Sequence, residues 1–147
     1  MYGARGKDFC MNILIIDGQG GQLGSMLIKE VSARFPAASV TAVGTNATAT
    51  TAMMKAGAKK AATGENPVVV ACRKADVIIG PVGIVIADAL LGEITPVMAT
   101  AVGQSDAVRI LIPVNKCNSL VAGVPDVPLA QLLEDALHKL NEVLKRS

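Results

Sequence analysis

The stretch Asp17-Gly18-Gln19-Gly20-Gly21-Gln22-Leu23-Gly24 has the residue types and spacing that most directly suggest chemistry. It lies between a short apolar run, Asn12 to Ile16, and an amphipathic one. A strand that reverses tightly into a helix needs residues free of a Cβ clash, which Gly18 supplies. Gly20 or Gly21 lets backbone approach a phosphate closely, and Gly24 lets the helix pack against the strand. The helix start then offers unpaired N–H groups and about half a positive charge to an anion. Gln19, Gln22 and Leu23 complete this candidate cofactor-binding turn. The plainer alternative is a tight crossover with no ligand, but a bare turn rarely needs four glycines in seven residues.

Other strand ends add candidates. Nicotinamide dinucleotide binders usually carry an acid after the second strand to hold ribose hydroxyls. Here that place holds Gly44-Thr45-Asn46, with no acid and no basic residue. Thr45 and Asn46 can hydrogen-bond a ribose or cap the next helix. Gly80, Pro81 and Asn115 complete the candidate binding set. For catalysis the candidates are Lys116, as a phosphate or carboxylate partner, with Glu65, Asp88 and Glu93 as acids or bases. Each is also readable as an ordinary loop or capping residue. Cys117 would need its thiolate favoured by Lys116, and no His lies near it in sequence, so a structural thiol is the simpler reading. His138, the single His, reads as a surface residue of the last helix. No metal-ligand spacing occurs. Asn115-Lys116 superficially resembles the guanine-specificity motif of GTPases, but Asn118 replaces the expected Asp and the phosphate loop is missing, so that reading fails.

Alternating elements must position these residues. Strands are expected at Asn12 to Ile16, Ser39 to Val43, Lys59 to Ala62, Asp76 to Ile79 and Arg109 to Pro113. Helices are expected at Gly21 to Ala33, Thr48 to Ala56, Pro67 to Lys74 and Thr95 to Val102. Pro67 to Lys74 is ambiguous, because three valines in a row favour strand; a parallel crossover requires a helix there. The last helix follows Pro128 and carries the clearest apolar stripe: Leu129, Leu132, Leu133, Ala136, Leu137, Leu140, Val143 and Leu144. This alternation predicts an α/β fold, a doubly wound Rossmann-like parallel sheet in one domain from residue 11 to residue 147, after a loose leader at 1–10. Val82 to Leu91 is unusually apolar and reads as a core helix or a subunit contact, which favours a homo-oligomer.

Composition narrows the classes. The chain has 147 residues, enough to bury one core. Hydrophobic residues make up 51% and charged residues 18%, which excludes a disordered tail. A formal charge of +2 without basic runs, and aromatics limited to Tyr2, Phe9 and Phe35, argue against nucleic-acid binding. Asp88, Glu93 and Pro96 interrupt the longest apolar zone, which argues against a membrane span. The first ten residues lack the apolar stretch of a signal peptide. An odd set of cysteines, Cys10, Cys72 and Cys117, points to reduced thiols and a cytoplasmic protein.

Two resemblances follow. Gly18-x-x-Gly21-x-x-Gly24 locally resembles the turn of extended short-chain reductases, which bind nicotinamide dinucleotides and imply an NAD(P) cofactor. The Tyr-x-x-x-Lys pair of such reductases is absent, since Tyr2 is the only tyrosine. From Met11 onward the chain closely resembles bacterial domain-of-unknown-function family 3842. The likeness is carried by Asn12 to Gly21, Ala42 to Asn46, Ala62 to Asn66, Ala75 to Pro81, Leu90 to Pro96 and Ile112 to Asn118. That family implies no catalytic residues. The sequence therefore supports three alternatives: a nucleotide or dinucleotide binder of unassigned reaction, a non-enzymatic regulatory or scaffold module, or a small enzyme on a phosphorylated or carboxylated metabolite, with Lys116 as anchor and Glu65 as base.

Overall fold

A computed structural model describes residues 10–114 and 118–146. Five strands, β1 (Asn12–Asp17), β2 (Ser39–Gly44), β3 (Lys60–Thr63), β4 (Val77–Pro81) and β5 (Val108–Ile112), alternate with helices. The helices are α1 (Gln22–Arg34), α2 (Ala47–Lys55), α3 (Glu65–Lys74), α4 (Pro96–Gln104) and α5 (Leu129–Lys145). All strand pairings are parallel, in the order β3-β2-β1-β4-β5. The expected doubly wound α/β fold is therefore present.

Burial explains the layers. Every β1 residue after Asn12 is buried, as a central strand covered on both faces requires. Ile13, Ile15, Val77, Ile79, Ile110 and Ile112 pack with apolar residues of α1, α2 and α5. Their neighbours Leu14, Ile16, Val43 and Ile78 pack instead with α3 and α4. Alternate residues along each strand thus feed opposite cores. The chain runs outward from β1 to β3, then returns to add β4 and β5 on the other side. The strand order reverses between β1 and β4, where doubly wound sheets open their ligand crevice.

The ambiguous segment is a helix, starting at Glu65, two residues before Pro67. Val68 turns into the core, while Val69 and Val70 stay half-buried. Val82 to Leu91 corrects the expectation of a core helix. Only Val82–Val85 forms a short 3₁₀ turn. Asp88, Leu90 and Leu91 then adopt φ of 67°, 56° and 57°, a left-handed backbone that a right-handed helix cannot include. In the last helix Asp135 and Lys139 pair at 2.6 Å, as their spacing suggests. Among the described residues no helix is long and apolar enough to cross a membrane.

Candidate functional site

The turn leaving β1 is closed by the Gly21 amide, which donates to Gly18 O at 2.9 Å. Gln19 takes φ 50° inside it, and Gly21, at φ 76°, caps α1 without any side-chain hydrogen bond. Three of the four glycines are demanded by packing. A Cβ on Gly18 would lie 2.6 Å from Thr45 Oγ1 and 2.9 Å from Leu90 Cδ1. One on Gly21 would lie 2.8 Å from Ala49 Cα, and one on Gly24 2.6 Å from Met53 Sδ and 2.8 Å from Asp17 Cβ. Gly21 therefore brings α1 against α2 rather than opening a path to phosphate. Gly20 differs. It is exposed, its φ lies outside the left-handed region, and a Cβ there would meet nothing within 4 Å.

Two carboxylates sit on this turn. Asp17 is buried, and its Oδ1 and Oδ2 accept the amides of Gly18 at 2.8 Å and Gly24 at 2.6 Å. It caps α1 from the strand end, in place of the side chain that Gly21 lacks. Burial pushes the Asp17 carboxyl above its ordinary value, against the pull of those two amides, and the nearby Glu93 charge adds to the rise. Glu93 arrives from the loop between β4 and α4. Its Oε1 accepts the Gln19 amide at 2.9 Å, the Thr45 hydroxyl at 2.6 Å and Asn46 Nδ2 at 2.7 Å. Partial burial pushes its carboxyl up, but the hydrogen bonds from Thr45, Gln19 and Asn46 outweigh it and hold the group below the ordinary glutamate value.

The amides are therefore not all open, as the sequence reading had them. Those of Gly18, Gln19 and Gly24 are held by the protein's own carboxylates. Those of Gly20, Gln22 and Leu23 have no hydrogen-bond partner among the described residues. Gly20 and Gln22 are exposed and Leu23 is buried.

Residues 86–95 strap across the crevice. The Asp88 amide donates to Ile94 O at 2.7 Å and the Gly92 amide to Asp88 O at 3.1 Å, closing the loop on itself. Ile94 and Leu90 are buried, and Leu90 covers Gly18. Leu91, next to it, is 96% exposed. Thr95 ends the strap and caps α4 by accepting the Met98 amide at 3.2 Å.

The family model for a domain of unknown function (DUF3842) matches residues 12–145. The chain belongs to that family. No curated protein and no solved structure matches it. In this DUF3842 domain the carboxyl edge of the sheet brings Gly18 to Gly24, Thr45, Asn46 and Glu93 together. Asn46 caps α2, its Oδ1 accepting the Ala49 amide at 2.8 Å, while its Nδ2 serves Glu93. Gly80 allows close strand approach, since a Cβ would lie 2.5 Å from Ile16 O, and Pro81 ends β4, buried. Glu65 accepts the Thr95 hydroxyl at 2.6 Å, and Asp88 is an exposed residue of the strap. Asn115, Lys116 and Cys117 lie outside the described residues. Burial pushes the Cys72 thiol up to about 11, which leaves it a poor nucleophile. No metal-holding group of His, Cys, Asp or Glu occurs among the described residues.

A groove of about 650 Å³ runs between α3 and α4, lined by Cys72, Arg73, Val97, Thr100, Gln104 and Asp106 among others, and by none of the turn residues. It follows helix surfaces rather than strand ends, so the turn remains the better placed site. Sequence reasoning missed the roles of Asp17 and Glu93. An acid directly before a glycine turn signals the first. Nothing local signals the second, which meets Gln19 across 74 positions of sequence.

Proposed function

We propose that this chain binds a nucleotide-like ligand, of the NAD(P) type, at the switch between β1 and β4. Its phosphate rests on the amides of Gly20 and Gln22, with Leu23 behind them, at the positive end of α1. Thr45 and Asn46 lie on the side of the ribose and its phosphoryl groups, and Gly80 and Pro81 on the side of the reacting end. The observation that carries this reading is Gly20. Packing accounts for Gly18, Gly21 and Gly24, but a side chain at position 20 would point into open space. A glycine there costs conformational entropy with no return inside the fold; close approach of a ligand to its amide supplies the return. A cytoplasmic homo-oligomer belongs to the same reading, with the exposed Leu91 on the contact surface.

Calorimetry with NAD+, NADH, NADP+, NADPH and ATP tests it. At least one should bind the wild-type chain, and Gly20→Asp, which sets a negative charge on the open amides, should abolish that binding while the fold survives. No heat from any of the five would end the proposal.

A second reading, a non-enzymatic assembly module, is favoured by Leu90 and Glu93, which fill the crevice, and by Leu91 standing out beside them. It expects oligomers whose melting temperature ignores all five nucleotides. The third, an enzyme on a phosphorylated or carboxylated metabolite, assigns Glu65 as base. Its bond to Thr95 supports a structural duty instead.

A further inference from the structure

Three donors converge on one oxygen at the end of β2. The Gln19 amide, the Thr45 hydroxyl and Asn46 Nδ2 all reach Glu93 Oε1, at 2.9, 2.6 and 2.7 Å. Converging donors of this kind suit a carboxylate or phosphoryl oxygen from any source. Here the occupant is delivered by a loop that is itself unusual. Asp88, Leu90 and Leu91 hold left-handed backbone, with Gly92 at φ 87° beside them. Such conformations persist only while the surroundings enforce them, and they gather at ligand clamps and switches. Asn46 and Thr45 are fixed independently of the strap. Asn46 caps α2 through its Oδ1, and the Thr45 amide donates to Asp17 O at 3.0 Å. Two of the donors would therefore keep their backbone positions if Glu93 left.

We infer that Glu93 is a displaceable internal stand-in for an anionic oxygen of the ligand, and that Gln19, Thr45 and Asn46 form the subsite that this oxygen enters when the Glu93 side chain swings away from the turn. The inference rests on the ligand reading above and adds a second anchoring point to it, beside the open amides of Gly20 and Gln22. It also explains why Leu90 and Glu93 fill a crevice whose amides are otherwise arranged for an anion. The ligand-free chain covers them with its own carboxylate, and the ligand competes with that carboxylate for the same donors.

Replacing the stand-in from solution tests this. In Glu93→Ala, sodium acetate and sodium phosphate are titrated against sodium chloride at matched ionic strength, with the Gln19 amide followed by NMR and the melting temperature by calorimetry. Acetate or phosphate should shift the Gln19 signal and raise the melting temperature saturably, with no such response in the wild-type chain. The tighter of the two identifies the oxygen as carboxylate or phosphoryl. A response no different from chloride overturns the inference.

NAD+ and ATP separate it from the broader reading. A nucleotide that binds should do so about tenfold more tightly in Glu93→Ala, because the plugged state no longer competes. Weaker binding in the variant would make Glu93 a ligand contact and overturn the inference. If acetate or phosphate saturates the variant while no nucleotide binds either protein, the subsite stands and the nucleotide reading falls. Should Glu93→Ala fail to fold, Glu93→Gln replaces it. There the Gln19 amide should exchange with solvent about tenfold faster than in the wild type, with the Ile15 and Ile79 amides unchanged. Equal Gln19 rates would overturn the inference.

Discussion

The turns into α1 and α2 lie side by side at the carboxyl edge of the sheet, and they close their helices in opposite ways. α2 starts at Asn46, whose side chain takes the Ala49 amide at once. One residue at the cap solves the problem locally. α1 starts at Gly21, which has no side chain to offer, and its turn is served by Asp17 from the strand and Glu93 from the strap. A helix start sealed by its own cap offers less to a ligand. One sealed from a distance leaves the amides of Gly20 and Gln22 without a partner among the described residues. That difference is why the phosphate is proposed to rest at the first turn, with the second turn beside it.

Substitutions in the two turns can break or sharpen this contrast. The largest effect is expected at Gly21→Ala, where a Cβ would strike Ala49 Cα at a left-handed φ. A loss of about 3 kcal/mol is expected, which lowers the melting temperature by about 10 °C. A negligible change in a thermal scan would mean that α1 and α2 are not held as closely as described. Asn46→Ala comes next. It removes the α2 cap and one donor to Glu93, for a loss of about 1–2 kcal/mol by chemical denaturation. Gly20→Ala should leave stability unchanged or raise it by about 0.5 kcal/mol, because the unfolded chain loses freedom while the folded one has room. A loss as large as that of Gly21→Ala would remove the distinction on which the proposed function stands.

The smallest effect is in pH. Glu93 is held below the ordinary glutamate value, so its stabilising contribution is present above that value and fades as pH falls through the lowered one. Asp17 is pushed above the ordinary aspartate value, so its contribution is fullest below that value and fades as pH rises through the raised one. Carbon NMR of the two carboxyls should therefore show Glu93 titrating below 4.5 and Asp17 above 3.8. Glu93→Gln should flatten the loss of stability on acidification. An ordinary Glu93 titration would show that the donors of the turn do not hold that carboxylate, and an ordinary Asp17 titration that burial does not outweigh its two amides.

Much of this molecule is legible in its sequence, because strand and helix periodicity record which side chains face a core. Apolar runs such as Asn12 to Ile16, broken by Asp17-Gly18, announce buried parallel strands, and the stripe of α5 announces its inward face. Glycine spacing announces the turn. What fails is non-local. Val82 to Leu91 has a helix-like composition, yet left-handed leucines appear only because Ile84, Leu90 and Ile94 anchor the loop to the core. Glu93 supplies an acid at the end of β2 that the sequence of β2 itself lacks. Its place depends on the return of the chain over the switch between β1 and β4, which no local pattern encodes. The individual duties of Gly18, Gly20, Gly21 and Gly24 also emerge only when α2 and the strap are in position around them.

The open amides at the start of α1 can be watched directly. Titrating NAD+ and ATP into the nitrogen-15-labelled chain should move the amide signals of Gly20, Gln22 and Leu23 together, saturably and with one affinity. Unmoved signals at those three residues, or shifts confined to the groove between α3 and α4, would contradict a ligand at the glycine turn.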